Sequence, residues 1–121
     1  MNLQRIGVIG AGQMGSGIAH VCALAGYDVY LNDIKRDQIE HGIDVIGGNL
    51  SRQVARGKIS DADKDRAMKH IHSAPSLDAL CDVDLAIEAA TEDEQVKRKI
   101  FHDLCPKISK NAMIATNTSS I

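Results

Sequence analysis

Three glycines and an acid carry the first chemical signal. Gly10, Gly12 and Gly15 stand in the run Val8-Ile9-Gly10-Ala11-Gly12-Gln13-Met14-Gly15, and Asp33 follows 18 residues after the last of them. In a G-x-G-x-x-G spacing the first glycine lets the chain turn tightly out of a strand. The second presents backbone without a Cβ, so a pyrophosphate can come close, and the third lets the next helix pack near the sheet. The helix N-terminus then offers N–H groups and the positive end of its dipole to phosphates. Asp33 falls near the place where a carboxylate meets an adenosine ribose. Without a ligand, the same pattern would be a plain βαβ unit with Asp33 as a solvated turn acid.

The elements that must position these residues are legible around them. Ile6–Ile9 reads as a buried strand, and Gly17–Leu24 as a helix with Ile18, Val21, Cys22 and Ala25 on its apolar face, closed by Gly26. Tyr27–Leu31 is the second strand. From Arg36 to Arg56 the apolar residues Ile39, Ile43, Ile46, Leu50 and Val54 recur at three- and four-residue steps, which predicts a long helix capped by Gly57. Ser60, with Asp63 three residues on, opens another helix to about His70. Ile71–Ala74 reads as a short strand, Leu77–Leu80 as one helical turn and Asp84–Ala90 as a buried parallel strand. Glu92–Ile108 reads as an amphipathic helix with Val96, Ile100, Phe101 and Leu104 inward, and Ala112–Thr116 as a last strand. This alternation predicts an α/β fold: a doubly wound, mostly parallel sheet of Rossmann type with helices on both faces and a helical hairpin inserted after the second strand. Ligands of such sheets bind outside the carboxyl ends of the strands. Gly10–Gly15, Asp33, Ala89–Glu92 and Asn117–Ser120 all fall at such ends.

Composition removes several function classes. The 121 residues are 44% apolar and 25% charged with a formal net charge of −2, as expected of one soluble domain. There is no basic tail, and Tyr27, Tyr30 and Phe101 are the only aromatics, which argues against nucleic acid as a partner. No apolar run is long enough to span a bilayer, and no targeting peptide precedes the first strand, so a cytoplasmic protein is expected. Cys22, Cys81 and Cys105 form no C-x-x-C pair and are read as reduced thiols. The five histidines match no metal-ligand spacing, and no metal is expected.

Val8–Ala19, Asp84–Ala90 with Glu92, and the run Ala115-Thr116-Asn117-Thr118-Ser119-Ser120 together resemble the NAD-binding domain of the 3-hydroxyacyl-CoA dehydrogenase family, most nearly its bacterial 3-hydroxybutyryl-CoA members. The helical insertion after the second strand fits as well. The resemblance implies hydride transfer from the 3-hydroxyl of a short-chain 3-hydroxyacyl-CoA to NAD, giving the 3-oxoacyl-CoA. It places the cofactor on Gly10, Gly12, Gln13, Met14, Gly15, Asp33, Ala90, Glu92, Lys97 and Asn117. Asn117 would meet the nicotinamide end, and Glu92 and Lys97 the neighbouring ribose. Ser119 would be the catalytic-site serine that orients and polarises the reacting oxygen. Asp33 would take the adenosine ribose hydroxyls and repel the extra phosphate of NADP, a preference softened by Lys35 and Arg36. Coenzyme A would be met by Ser51, Arg52 and Arg56; Arg52 and Arg56 share one helix face and otherwise form a solvated basic edge. Likewise Glu92 and Lys97 could be ordinary helix charges, and Ser119 and Ser120 a polar loop.

The chain departs from the family in stopping at Ile121. The family's catalytic His and Glu, its substrate-side Asn and its all-helical second domain, through which it dimerises, come later. None of the present histidines substitutes for that base. The expectation is therefore a truncated or proteolysed NAD-binding domain spanning residues 1–121, able to bind cofactor and inactive alone, with no N-terminal fusion ahead of Met1. Two other readings stay open: a non-catalytic NAD-binding or redox-sensing module, and another hydroxyacid dehydrogenase on the same fold.

Overall fold

The computed structural model describes residues 4–89, Gln95, Lys99 and the backbone of 113–116. Five strands, β1 (Arg5–Ile9), β2 (Asp28–Asn32), β3 (Ile71–Ala74), β4 (Leu85–Glu88) and β5 (Met113–Thr116), form one sheet in the order β3-β2-β1-β4-β5. Every pairing is parallel; Ile6 is in register with Val29 on one side and Leu85 on the other. Three helices, α1 (Gln13–Leu24), α2 (Arg36–Ala55) and α3 (Asp61–Lys69), complete the described elements, with a 3-10 turn at Leu77–Leu80.

The sheet has two different faces. Ile6, Val8, Val29, Leu31 and Ile71 point to the side covered by α1–α3, where Ile39, Ile46 and Leu50 of α2 are fully buried. Burial of each such side chain contributes about 1.5–3 kcal/mol. Ile9, Ala74 and Ala86 point to the other side, against Leu80 and Val83. That segment lies so close that a Cβ on Gly7 would sit 3.0 Å from the Leu80 side chain. The helix expected over Glu92–Ile108 to cover this second face lies outside the described residues, apart from Gln95 and Lys99, which are helical and exposed.

Local chemistry explains where the helices stop. Gly26 and Gly57 have φ of 100° and 73°, the left-handed region that glycine adopts without strain. In each case the glycine N–H and the next N–H return to the last turn: Gly26 to Ala23 and Tyr27 to Cys22, then Gly57 to Val54 and Lys58 to Gln53. These are paired Schellman closures. Helix α3 starts with a reciprocal box, in which Asp63 N–H donates to Ser60 Oγ and Ser60 N–H to the Asp63 carboxylate.

One expectation needs correction. Helix α1 begins at Gln13, four residues earlier than read, and its inward face is Gly15, Ser16, Ala19 and Ala23. Val21 is 65% exposed, Ala25 is exposed, and Ile18 and Cys22 are half-buried at the margin. Small residues win the contact because the helix runs too close to the sheet for large ones. Cys22 and Cys81 are free thiols, with burial pushing the Cys22 thiol upward; Cys105 lies outside the described residues.

At the amino ends of the strands, carboxylates fasten the sheet. Asp84 accepts the Gln4 and Arg5 N–H groups at 2.9 and 3.0 Å, and these bonds hold its carboxyl below the usual range. Asp28 Oδ1 meets His70 Nδ1 at 2.9 Å and His72 Nε2 at 3.2 Å, and His72 stacks on Tyr30. The hydrogen bonds from His70 and His72 lower the Asp28 carboxyl in turn.

Candidate dinucleotide site

At the opposite rim, β1 ends in a loop shaped by its glycines. Gly10 has φ of 106° and donates its N–H to the Asn32 carbonyl at 2.7 Å, which ties the loop to the end of β2. A Cβ on Gly15 would lie 1.6 Å from the Gly10 carbonyl oxygen, so α1 can approach the strand only because that residue has no side chain. Gly12 is different. It caps α1 with no side-chain cap bond, and a Cβ there would meet nothing within 4 Å. No packing in the described structure requires glycine at this position, and the open side is where an anion could approach the first turn of α1.

Asp33 lies directly beside this loop. Its Oδ2 accepts the Ala11 N–H at 2.9 Å and its Oδ1 the Lys35 N–H at 3.0 Å. Next to it Ile34 is 94% exposed. Asn32, 4% exposed, donates Nδ2 to the Ala74 carbonyl at 2.7 Å, so the carboxyl ends of β1, β2 and β3 are linked through one residue. Glu88, fully buried at the end of β4 and in register with Ile9 and Thr116, completes the rim. The shape suits a dinucleotide: an open backbone cradle, a helix N-terminus and a half-buried carboxylate on neighbouring strand ends.

Gly10, Gly12, Gln13, Met14, Gly15 and Asp33 are thus brought together, with Gln13 and Met14 exposed. Ala90, Glu92, Lys97, Asn117 and Ser119 lie outside the described residues. Ser51 and Arg52 are exposed on the second half of α2 and Arg56 is exposed at its C-cap; from Gly42, which touches the loop, Arg52 is about 15 Å further along the helix. Ser51 Oγ accepts from Lys64 Nζ at 2.7 Å, and Arg52 donates to Asn49 Oδ1. The basic patch therefore includes Lys64 of α3, which no sequence spacing announced. Among the described residues no cluster of His, Cys, Asp or Glu could hold a metal ion.

A sequence profile described as "3-hydroxyacyl-CoA dehydrogenase, NAD binding domain" matches residues 5–121. The chain belongs to this family. Among its relatives, the 3-hydroxybutyryl-CoA dehydrogenase of Bradyrhizobium diazoefficiens is 52% identical over 119 residues, covering 98% of this chain and 41% of that protein. The 3-hydroxybutyryl-CoA dehydrogenase of Mycobacterium tuberculosis is 43% identical over 120 residues, again 98% of this chain and 42% of the relative. The crystal structure of (S)-3-hydroxybutyryl-CoA dehydrogenase from Ralstonia eutropha superposes with a TM-score of 0.95 at 38% identity, over 99% of this chain and 42% of that one. The chain spans about two fifths of the length of these relatives. The domain is accordingly an NAD-binding domain of Rossmann type from an oxidoreductase family.

Proposed function

We propose that this domain is the cofactor half of an NAD-dependent dehydrogenase acting on a short-chain 3-hydroxyacyl-CoA. The observation that carries the reading is the near-complete coverage of the chain by proteins named 3-hydroxybutyryl-CoA dehydrogenase, at up to 52% identity. NAD, once bound, supplies the hydride acceptor. Gly10, Gly12, Gln13, Met14 and Gly15 receive its pyrophosphate, and Asp33 receives the adenosine ribose. The open side of Gly12 and the position of Asp33 support this assignment.

By the same proposal Ala90, Glu92, Lys97 and Asn117 hold the nicotinamide side, and Ser119 hydrogen-bonds the reacting oxygen so that it is oriented for transfer. Ser51, Arg52 and Arg56 meet the phosphates of coenzyme A, and the position of Lys64 beside Ser51 supports a cationic patch there. Residues 1–121 form the NAD-binding domain, and the base that takes the hydroxyl proton comes from outside them. Dimerisation through that outside part and a cytoplasmic location belong to the same proposal. Gel filtration of the full-length protein and cell fractionation test these two. No helix among the described residues is long and apolar enough to cross a membrane.

The deciding experiment is calorimetric titration with NAD and NADP, followed by turnover of 3-hydroxybutyryl-CoA by the full-length protein. NAD binds and NADP binds at least about tenfold more weakly, because the Asp33 carboxylate opposes a 2′-phosphate. A folded full-length protein that binds NAD and oxidises no 3-hydroxyacyl-CoA would refute the substrate assignment.

A further inference from the structure

The peptide groups on either side of Ala11 are held by side chains rather than by the sheet. Ala11 is 2% exposed. Its N–H goes to Asp33 Oδ2 at 2.9 Å, and its carbonyl accepts from Ser16 Oγ at 3.0 Å. A trans peptide points its C=O and N–H in opposite directions. Fixing the Ala11 N–H on Asp33 therefore turns the Gly10 carbonyl the other way, toward Gly15, where it is found. Fixing the Ala11 carbonyl on buried Ser16 turns the Gly12 N–H the opposite way, away from Ser16, at a residue that is itself exposed. Helix α2 backs this arrangement, since a Cβ on Gly42 would lie 2.7 Å from Ser16 Oγ and 3.0 Å from the Ala11 oxygen.

We propose that Asp33 and Ser16 are positioning residues for the phosphate loop: together they lock the Ala11 peptides so that the Gly12 N–H is aimed outward before cofactor arrives. Asp33 then serves two parts of the ligand. A carboxylate offers about four acceptor sites. The Ala11 and Lys35 N–H groups use one on each oxygen, leaving one on each for the two ribose hydroxyls. This rests on the NAD reading above and goes beyond it, because a residue that only meets the ribose would not influence phosphate binding.

The test compares ADP-ribose with its analogue lacking the 2′ and 3′ hydroxyls of the adenosine ribose, titrated into the full chain. With Asp33→Ala, both probes weaken, the hydroxyl-less one by about tenfold, as expected for loss of one charge-assisted bond that orders the loop. With Ser16→Ala, whose side chain is buried and donates to the Ala11 carbonyl, both probes weaken by the same factor. If Asp33→Ala weakens ADP-ribose and leaves the hydroxyl-less analogue within about twofold, or improves it by removing a negative charge, Asp33 acts on the ribose alone and the positioning role is overturned. Unchanged binding of both probes by Ser16→Ala overturns the Ser16 part. If the unaltered chain binds neither probe, the NAD reading itself fails. Should Asp33→Ala not fold, Asp33→Asn replaces the charge-assisted bond to the Ala11 N–H by a weaker neutral one. Weaker binding of the hydroxyl-less probe then supports positioning, and binding that is unchanged or tighter, as removal of a negative charge alone would give, overturns it.

Discussion

Two alanine substitutions in one loop should separate stability from binding. In Gly15→Ala the new methyl carbon would lie 1.6 Å from the Gly10 carbonyl oxygen and 2.8 Å from its carbon. A close C···O approach is roughly 3.3 Å, so the gap is short by more than 1.5 Å. The offending atom is backbone on a sheet-anchored loop, and no rotamer relieves it. Overpacking costs about 1–3 kcal/mol, and this case belongs at the upper end. The gain of up to about 1 kcal/mol from alanine in a helix offsets part of it. The net is about 2–3 kcal/mol, a fall in Tm of roughly 6–15 °C for a chain of this size. In Gly12→Ala the methyl meets nothing within 4 Å, and φ −73°, ψ −165° is extended backbone open to alanine. Only the N-cap preference for glycine is lost, about 1 kcal/mol or less and under about 5 °C. The methyl nevertheless fills the side on which we propose the pyrophosphate binds, so NAD affinity should fall at least about tenfold. Thermal unfolding by circular dichroism and titration calorimetry read the two effects. A Gly12→Ala protein that binds NAD normally, or that melts as low as Gly15→Ala, would refute this division of labour.

Three further outcomes follow from features away from the loop. Gly48 sits mid-helix in α2 with only the end of the Arg52 side chain, 3.9 Å away, near its Cβ position; Gly48→Ala should raise stability by about 0.5–1 kcal/mol in urea unfolding. Ser60→Ala removes the acceptor for Asp63 N–H and should cost about 1 kcal/mol by the same measure. Asp28 has a folded carboxyl held below its unfolded value by His70 and His72. Its contribution is therefore complete above the unfolded pKa of about 3.9 and is lost as pH falls through the lower folded one. Stability measured from pH 6 down to pH 2 should decline less steeply in Asp28→Asn, with the rest of the acid limb left to groups such as Asp63 and Asp84; an unaltered slope would show that the His70–Asp28–His72 contact contributes nothing.

The parts of the fold that follow from local chemistry were readable in the residues. Gly26, Gly57 and the Ser60–Asp63 box each act within a few positions, and helix periodicity located α2 through Ile39, Ile46 and Leu50. The glycine spacing likewise located the loop that leaves β1, beside which Asp33 sits. Helix α1 misled because hydrophobicity favours the side with Ile18 and Val21, whereas close approach to the sheet selects Gly15, Ser16, Ala19 and Ala23. Buried Asn32 and the Ala11–Asp33 bond depend on partners 42 and 22 residues away, which no local pattern encodes. Gly42 could have been noticed: a glycine inside a strong helical pattern is costly, and its reason here is the approach of α2 to Ser16 and Ala11.

The central place of β1 in the sheet has a consequence for biosynthesis. The strand that carries the glycine loop leaves the ribosome before the other four strands of its sheet, and β2 can pair with it soon afterwards. Its other edge waits for β4, roughly 80 residues later. At about 5–20 residues per second this leaves one flank of an apolar strand bare for some 4–16 s. During that interval the nascent chain is a half-built sheet with an open pairing template, the stage at which chaperone capture or mispairing with a neighbouring chain competes with folding. Silent codon changes that slow translation between α2 and β4 should lengthen that exposure and lower the soluble yield without altering a single residue of the finished domain.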